Sequence, residues 1–367
     1  MDCGAAWSQR AGIGRAVRGL AQHLPGARGD DEIVLFSFAD ERALARNRPR
    51  EPHERIVPFP PGRWVRRAWR SLDAPPFEWL AGSADLYHFT NFTRPPLGRG
   101  RSVVTIYDVS FLRFPETVEP RNLAYLRSRV RLAAQRADAF LTISASAATA
   151  IADGLRVPSD RIFTAAPGVD PVFAPPGSAR VARLREELGL VRPYLLFVGT
   201  VEPRKNIPFL LDLFDALDGF DGDLVLAGAL GWKHVPILAR ARAARRAAAI
   251  RFVGGLEDEA LAALYGGAEA FLFPSLDEGF GLPPLEAMAC GTPVVSSAAG
   301  ALPEVLGVAA RIVADLDVGA WTHAVRALLG DSAERARRVD LGRAQSGAYT
   351  WAAAAARTWS VYRALVR

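Results

Sequence analysis

Glu278 and Glu286 have seven residues between them, and a turn-forming stretch directly follows the first glutamate: Gly279, Phe280, Gly281 and Leu282. Ionised carboxylates accept hydrogen bonds from sugar hydroxyl groups. Backbone N–H groups of a glycine loop that leads into a helix bind anions such as phosphate, and Pro284 suits the first position of that helix. These residue types indicate a site for a ligand that carries both phosphate and hydroxyl groups.

Apolar runs at 270–275 and 293–296 flank this stretch and predict a strand on either side of the loop and helix. Another buried strand is predicted at 194–199, and Arg204 and Lys205 follow it. Lysine is rare in this arginine-rich chain, so a compact ammonium here suggests a chemical task such as contact with a phosphate oxygen. Because ligands bind at the carboxyl ends of parallel strands, both stretches are expected in one site.

The two stretches resemble motifs of the family-4 retaining glycosyltransferases. The pattern Gly-x-x-x-x-Arg-Lys-Asn at 199–206 is similar to the diphosphate clamp of that family, and the two glutamates with their neighbours resemble its Glu-x7-Glu motif. The resemblance implies an α/β protein of the GT-B fold. Two Rossmann-like, doubly wound domains would then face each other across a cleft.

The resemblance also implies an activity, in which a glycosyl group passes with retention from a nucleotide-diphosphate sugar to an acceptor hydroxyl. Arg204 and Lys205 would stabilise the leaving diphosphate, Glu278 would hold the transferred sugar, and Glu286 the ribose. The expected donor-binding residues are Gly199, Gly279, Phe280, Gly281, Leu282 and Glu286. No metal or other cofactor is expected, and the leaving phosphate would accept the acceptor's proton.

The nearest subgroup resembles mannosyltransferases of surface polysaccharide assembly, which favours GDP-mannose as donor and a glycan or lipid-linked acceptor. Glu286 does not distinguish GDP, UDP and dTDP donors, because it would bind any ribose. Two rival activities stay open: a nucleotide-sugar epimerase of the same fold and a dinucleotide-dependent oxidoreductase. The oxidoreductase needs Gly-x-Gly-x-x-Gly, and the stretch 12–17 lacks the third glycine.

Strand-like and helical runs alternate in the N-terminal half, with apolar strands predicted at 32–38, 85–89, 102–108 and 139–144. This alternation is typical of a doubly wound parallel sheet. Gly12 and Gly14 open a helix and resemble the family's glycine loop at the cleft. His88 and Asp108 fall at strand ends, and Tyr107 stands where many relatives have histidine. The residues expected on the acceptor side or in the cleft are Gly12, Gly14, His88, Tyr107 and Asp108. His88 either supplies that imidazole on the acceptor side or is structural.

The expected domains are 1–170 for the acceptor and 171–348 for the nucleotide sugar, joined by a proline-rich linker at 166–177. The terminal helix, 349–367, packs its aromatic stripe either on the first domain or on its own. Residues 1–3 look like the tail of a strand. We therefore expect either that the native start lies upstream or that the first strand is a stub.

A chain of 367 residues with 50% hydrophobic content can form two cores. Its net charge of +6 is dispersed without a nucleic-acid-binding motif, so no nucleic-acid partner is expected. The absence of a signal peptide, membrane span or disulfide pattern indicates a cytoplasmic protein. The segment 62–72 alternates apolar residues with arginines, so it either contacts an anionic membrane or faces the core with a basic rim.

Overall fold

A computed structural model of the protein describes residues 1–8, 12–43 and 53–367, in which parallel strands alternate with helices. The strands are β1 (Leu35–Phe38), β2 (Glu54–Val57), β3 (Leu86–Phe89), β4 (Arg101–Thr105), β5 (Ala139–Thr142), β6 (Ile162–Thr164), β7 (Tyr194–Val198), β8 (Asp223–Ala227), β9 (Ile250–Gly254), β10 (Ala270–Phe273), β11 (Val294–Ser297) and β12 (Arg311–Val313). The helices are α1 (Gly4–Ser8), α2 (Ile13–Ala27), α3 (Ala39–Arg42), α4 (Gly62–Ser71), α5 (Glu78–Ala81), α6 (Ser110–Arg113), α7 (Pro120–Arg136), α8 (Ala145–Leu155), α9 (Ser178–Glu187), α10 (Ile207–Ala216), α11 (His234–Arg242), α12 (Asp258–Gly266), α13 (Leu282–Ala289), α14 (Leu302–Leu306), α15 (Val318–Gly330), α16 (Ser332–Gly347) and α17 (Trp351–Val366).

The chain divides into two compact units. Unit 1 consists of Met1–Val109, Leu123–Gly168 and Thr350–Arg367, and unit 2 consists of Ser110–Asn122 and Val169–Tyr349. The division after Gly168 lies two residues from the predicted boundary at 170. The short segment Ser110–Asn122 belongs to unit 2, although the chain on both sides of it belongs to unit 1. No sequence pattern indicated this excursion.

The sheet of unit 2 is parallel and has the order β9-β8-β7-β10-β11-β12. Numbered from its own first strand, this is the 3-2-1-4-5-6 order of the dinucleotide-binding fold. The residues of β7, β8 and β10 are all buried, as expected for strands with helices on both faces. The strand order reverses between β7 and β10, and folds of this kind bind their ligands at that point.

Residues 1–3 connect the two parts of the unit 1 sheet, β1-β2 and β3-β4-β5-β6. Asp2 bridges Phe36 of β1 and Phe89 of β3, and the Asp2 N–H donates to the His88 carbonyl oxygen at 2.8 Å. These residues therefore occupy a strand position between β1 and β3. The order of unit 1 is thus also that of a doubly wound sheet, with its reversal between residues 1–3 and β3.

The terminal helix α17 is part of the unit 1 core. Its residues Ala355, Trp359 and Tyr362 are buried together with Val17 and Leu24 of α2. The indole N–H of Trp359 donates to the Leu24 carbonyl oxygen at 2.8 Å. The aromatic stripe of α17 is accordingly a packing surface of unit 1.

Helix α4 has a buried side and an exposed side. Val65 and Trp69 are buried in unit 1, and the indole N–H of Trp69 donates to the Pro75 carbonyl oxygen at 2.8 Å. Trp64, which the sequence pattern grouped with them, is 63% exposed, and Leu72 beyond the helix end is 74% exposed. The helix faces the core, but its apolar residues do not all share that face.

Candidate active site

The loops that follow β7 and β10 meet where the strand order of unit 2 reverses. The loop after β7 carries Arg204 and Lys205 in a turn of 3-10 helix, and the loop after β10 carries Glu278. Two hydrogen bonds connect the loops: the side-chain Nη1 of Arg204 donates to the Asp277 carbonyl oxygen at 2.6 Å, and the Leu276 N–H donates to the Arg204 carbonyl oxygen at 2.9 Å. The structure therefore brings together the three residues predicted to be catalytic.

Four charged side chains form a cluster in this place, and we call Glu202, Arg204, Lys205 and Glu278 the charge cluster. Lys205 Nζ lies 2.5 Å from Glu278 Oε1, and Arg204 Nη1 lies 3.2 Å from Glu278 Oε2. Arg204 Nη2 donates to Glu202 Oε1 at 3.0 Å. Arg204 is the most exposed of the four side chains, at 18%. Two cations and two carboxylates thus balance one another where screening by water is weak.

The cations control the ionisation of Glu278. Burial alone would raise the pKa of this carboxyl, but the charges of Lys205 and Arg204 outweigh burial and hold the pKa at about 2. Burial, followed by the charge of Arg204, lowers the pKa of Lys205 against the opposing effect of Glu278. Glu278 is therefore an anion at every pH at which the protein would work.

Helix α13 begins at Leu282, so the prediction that Pro284 occupies the first helical position is wrong by two residues. Gly281 precedes the helix with φ 110°, a conformation that glycine adopts without a steric penalty, and this starts the helix early. Pro283 and Pro284 occupy the second and third positions, whose N–H groups would lack a partner within the helix in any case. The helix terminus therefore offers an anion only N–H groups that precede Pro283.

The glycine loop is anchored by Phe280. This side chain is buried, and its ring meets the ring of Tyr349 edge-on at 5.3 Å between centroids. Gly300 allows the next loop to approach, because a Cβ atom there would lie 2.3 Å from the Glu278 carbonyl oxygen. Sequence reasoning missed Gly300, whose only signal is its place after β11. Any donor contact from Phe280 would come from its backbone.

Glu286 lies inside unit 2 on α13. The Tyr265 hydroxyl donates to Glu286 Oε2 at 3.0 Å, and the residue is 1% exposed. Gly199 lies at the end of β7, and its N–H donates to the Ala227 carbonyl oxygen at 2.9 Å. Tyr265 thus fixes the orientation of the Glu286 carboxylate, and the ribose contact of Glu286 stays a prediction.

Arg113 lies in the segment Ser110–Asn122 and contacts the loop after β10 that carries Glu278. No sequence pattern singled out this arginine. Its Nη1 lies 2.9 Å from Oδ1 of Asp277, the buried neighbour of Glu278. The same segment accepts a hydrogen bond from the Trp232 indole at the Thr117 carbonyl oxygen, 2.8 Å away. The two partners in the ion pair are 164 positions apart, so no local spacing could reveal it.

The prediction that His88 faces the acceptor is wrong. His88 is 1% exposed, with Nδ1 2.5 Å from the Tyr362 hydroxyl and Nε2 2.6 Å from Thr105 Oγ1. Burial lowers the pKa of His88 to about 3, so the ring stays neutral. Its side chain joins β3, β4 and α17 within the core, which is the structural alternative that the sequence left open.

Tyr107 is also an interior residue, and its predicted place on the acceptor side is wrong for its hydroxyl. That hydroxyl donates to the Thr90 carbonyl oxygen at 2.9 Å, and burial raises the pKa of Tyr107. β4 ends at Thr105, so Tyr107 and half-buried Asp108 follow the strand.

Gly12 precedes α2 at an exposed position and Gly14 is buried in its first turn. Ligand contacts of Gly12, Gly14 and Asp108 stay predictions.

A cavity of about 290 Å³ opens at the strand reversal of unit 1, and we call it the unit 1 cavity. Its wall includes Asp2, Glu41, Arg66 and the residues 90–93 that follow β3. Arg66 Nε lies 2.6 Å from Glu41 Oε1, and Arg66 Nη1 lies 3.5 Å from Asp2 Oδ2. Sequence reasoning missed this triad because it treated Arg66 as part of a solvated rim.

A larger cavity, about 510 Å³, lies beside the edge strand β12 and includes Arg338 in its wall. Arg338 Nε donates to Glu334 at 2.7 Å, and its Nη1 donates to the Ala310 carbonyl oxygen at 3.1 Å. This cavity is away from the strand reversal, so we do not assign the chemistry to it.

Within the described ranges, no three His, Cys, Asp or Glu side chains are grouped to hold a metal ion, and no helix has the length and apolar character to span a membrane.

Two doubly wound units, with a glycine loop and four charged side chains at the strand reversal of the second, are the architecture of the GT-B class. The comparisons agree. The family model "Glycosyltransferase Family 4" matches residues 10–173, and "Glycosyl transferases group 1" matches residues 182–345. The chain belongs to the family-4 glycosyltransferases. The predicted fold class and the predicted enzyme class are thereby confirmed.

Individual relatives support this assignment. The O-antigen chain mannosyltransferase B of Escherichia coli is 32% identical over 372 residues, which cover 96% of each chain. Sucrose-phosphate synthase from Thermosynechococcus elongatus shares the fold with a TM-score of 0.76 at 21% identity, over 100% of this chain and 97% of that one. The Anabaena protein HepE, solved in complex with UDP-glucose, has a TM-score of 0.74 at 17% identity over 97% of each chain.

Proposed function

We propose that this glycosyltransferase transfers mannose from GDP-mannose, with retention of anomeric configuration, to a hydroxyl of a glycan or lipid-linked acceptor. The observation that carries the proposal is the convergence of Arg204, Lys205 and Glu278 at the strand reversal of unit 2. The similarity to an O-antigen mannosyltransferase over nearly the whole chain favours mannose over other sugars.

The chemistry requires stabilisation of the negative charge that develops on the leaving diphosphate. Arg204 and Lys205 supply two cations for this purpose, and the N–H groups before Pro283 supply aligned dipoles. Glu278 would accept a hydrogen bond from a hydroxyl of the transferred sugar, and Glu286 would accept one from the ribose. The leaving phosphate would take the proton of the acceptor, and the two cations make a metal ion unnecessary.

The unit 1 cavity is our candidate for the acceptor. It lies at the strand reversal, where doubly wound sheets bind ligands, and Asp2 and Glu41 offer carboxylate oxygens to hydroxyl groups. Arg66 holds both carboxylates by ion pairs. The test is Asp2→Asn, which is expected to raise the KM for the acceptor while the KM for the donor stays constant. An unchanged acceptor KM contradicts this assignment.

The donor can be identified with a panel of nucleotide sugars. GDP-mannose is expected to raise the melting temperature and to give GDP and a mannosylated product when acceptor is present. A preference for UDP- or dTDP-sugars contradicts the donor assignment but not the clamp. Inversion of a sugar hydroxyl in the donor without an acceptor identifies an epimerase, and stabilisation by NAD alone identifies an oxidoreductase.

We also propose that the exposed face of α4 contacts an anionic membrane that carries the acceptor. Arg63, Trp64, Arg67 and Arg70 are exposed and recur at helical spacing. Basic residues near an anionic surface add binding energy, and tryptophan favours the membrane interface. This face thus combines both features in unit 1.

The membrane proposal is tested by co-sedimentation with vesicles that contain phosphatidylglycerol. The double variant Arg63→Glu with Arg67→Glu is expected to lose binding. The matched variant Arg180→Glu with Arg183→Glu, on exposed positions of α9 in unit 2, is expected to retain it. Equal binding by both variants, or equal binding to pure phosphatidylcholine, contradicts the proposal.

A further inference from the structure

Glu278 engages both cations on which the proposed clamp depends. Its Oε1 lies 2.5 Å from Lys205 Nζ and its Oε2 lies 3.2 Å from Arg204 Nη1. The side chains of Lys205 and Glu278 are each 10% exposed, so the ion pair is shielded from water. A diphosphate that binds Arg204 and Lys205 must therefore compete with a carboxylate of this protein.

The charge balance makes that competition severe. The charge cluster contains two cations and two carboxylates, because Glu202 also contacts Arg204, so it offers no surplus positive charge. If a diphosphate displaces Glu278, the carboxylate loses its counter-ions while it remains in a buried place. An uncompensated buried charge is strongly destabilising.

A complete donor offers Glu278 a replacement that the product lacks. The transferred sugar carries hydroxyl groups that can donate hydrogen bonds to the carboxylate, whereas a nucleoside diphosphate carries none at that position. The bare diphosphate would thus displace Glu278 without restoring its contacts. The intact donor would displace it and satisfy it again.

We propose that Glu278 determines the selectivity for the intact sugar nucleotide over the nucleoside diphosphate, because it competes with the diphosphate for Lys205 and Arg204 and only a bound sugar compensates it. The inference rests on the proposed function and adds a second role to the sugar-holding carboxylate. It implies that Glu278 weakens product binding and so aids the release of the nucleoside diphosphate after transfer.

Protonation does not relieve the competition. The two cations hold the pKa of Glu278 at about 2, although burial opposes them, so the carboxylate stays charged near neutral pH. A substitution that removes the charge is therefore needed to expose the effect. Glutamine keeps the size of the side chain and can still accept a hydrogen bond.

The test compares the Kd values of GDP and GDP-mannose for the wild type and Glu278→Gln by titration calorimetry. The variant is expected to bind GDP at least tenfold more tightly, which equals about 1.4 kcal/mol. Its affinity for GDP-mannose is expected to stay within threefold or to fall. GDP affinity that is unchanged or weaker in the variant overturns the proposal.

Glu278→Ala is the second variant, and it must also bind GDP more tightly because it removes the same charge. The matched control is Glu269→Gln, which breaks a glutamate–arginine ion pair with Arg335 elsewhere in unit 2 and is expected to leave both Kd values unchanged. Melting curves identify any variant that does not fold.

Lys205→Ala separates this inference from the function on which it rests. If Lys205→Ala binds GDP as tightly as the wild type, the diphosphate clamp is wrong and the proposed function fails with it. If Lys205→Ala weakens GDP binding but neither Glu278 variant strengthens it, the clamp stands and only the selectivity role of Glu278 is overturned.

Discussion

Units 1 and 2 share a strand order but use their strand ends differently. In unit 2 the predicted residues Arg204, Lys205 and Glu278 lie in loops beyond β7 and β10, and they meet. In unit 1 the predicted residue His88 lies within β3, and its ring is enclosed by the core. The same topology thus places the predicted residues of unit 2 in a cluster of charges and the predicted histidine of unit 1 in a buried polar contact.

The difference shows that residue type alone does not predict a site residue, because the position of the residue relative to the strand end also matters. A side chain in a loop after the last ladder residue can stay partly exposed, as Arg204 does, or turn into the core, as Tyr107 does. A side chain within a buried strand has to satisfy its polar atoms inside the protein, as His88 does with Thr105 and Tyr362. The unit 1 cavity fits this rule, because the residues 90–93 in its wall follow β3.

The largest expected effect comes from the clamp. Lys205→Ala or Arg204→Ala is expected to lower turnover by a hundred- to a thousandfold, because losing one donor to a developing anion costs about 2.7–4 kcal/mol. Initial rates are the measurement, and circular dichroism checks that the protein remains folded. Arg240→Ala, which removes a surface ion pair with Asp212, is the control. More than a tenth of wild-type turnover in either clamp variant contradicts the assignment.

The place of Arg204 and Lys205 after β7 could be predicted because its signal is local: a glycine, an arginine and a lysine follow a buried strand within eight positions. The structural role of His88 could not be predicted, because its partner Tyr362 lies 274 positions away in a helix whose packing partner the sequence left open. The ion pair of Arg113 with Asp277 could not be predicted for the same reason, since the two residues are 164 positions apart. The start of α13 was misplaced because Gly281, rather than a proline, determines where the helix begins.

Arg113→Ala is expected to have the next largest effect, about a tenfold loss of kcat with the donor KM changed less than threefold. Arg113 acts through Asp277 on the loop that carries Glu278, and small displacements of a reacting geometry lower rates steeply. Steady-state kinetics are the measurement. Arg113→Lys is expected to restore part of kcat, and exposed Arg121→Ala in the same segment should match the wild type. Equal kcat values for Arg113→Ala and wild type would contradict a role of Arg113 in positioning this loop.

His88→Ala is expected to affect stability instead of chemistry. It removes partners of two buried hydroxyl groups and is expected to lower the free energy of unfolding by about 3 kcal/mol. The kcat of the folded variant should stay within twofold of wild type. Urea unfolding and initial rates are the two measurements. A large loss of kcat with unchanged stability would contradict the structural role of His88 and support a role in acceptor binding.

The same variant tests a pH dependence. Because the pKa of His88 is about 3 in the folded protein and near 6.5 when unfolded, the unfolded chain binds more protons between these values. This contribution to stability is complete above pH 6.5 and declines as the pH falls toward 3. The stability gap between wild type and His88→Ala is expected to narrow by about 2 kcal/mol from pH 7.5 to pH 5. A constant gap contradicts the buried neutral imidazole.

Chelation is expected to have the smallest effect. If Arg204 and Lys205 carry the charge balance, treatment with EDTA should leave the rate unchanged. A rate that disappears with EDTA and returns with magnesium or manganese would assign the charge balance to a metal ion. It would also weaken the contrast between the charge cluster of unit 2 and the neutral core contact of His88 in unit 1.

If the site in unit 2 works as proposed, it releases a nucleoside diphosphate while the sugar moves with retained configuration. Proton NMR of a reaction with GDP-mannose and a mannose-terminated acceptor measures both events in one time course. An α-linked mannosyl product is expected to appear at the rate of GDP release, and neither signal is expected with Lys205→Ala. A β-linked first product, or GDP release by Lys205→Ala at the wild-type rate, would contradict it.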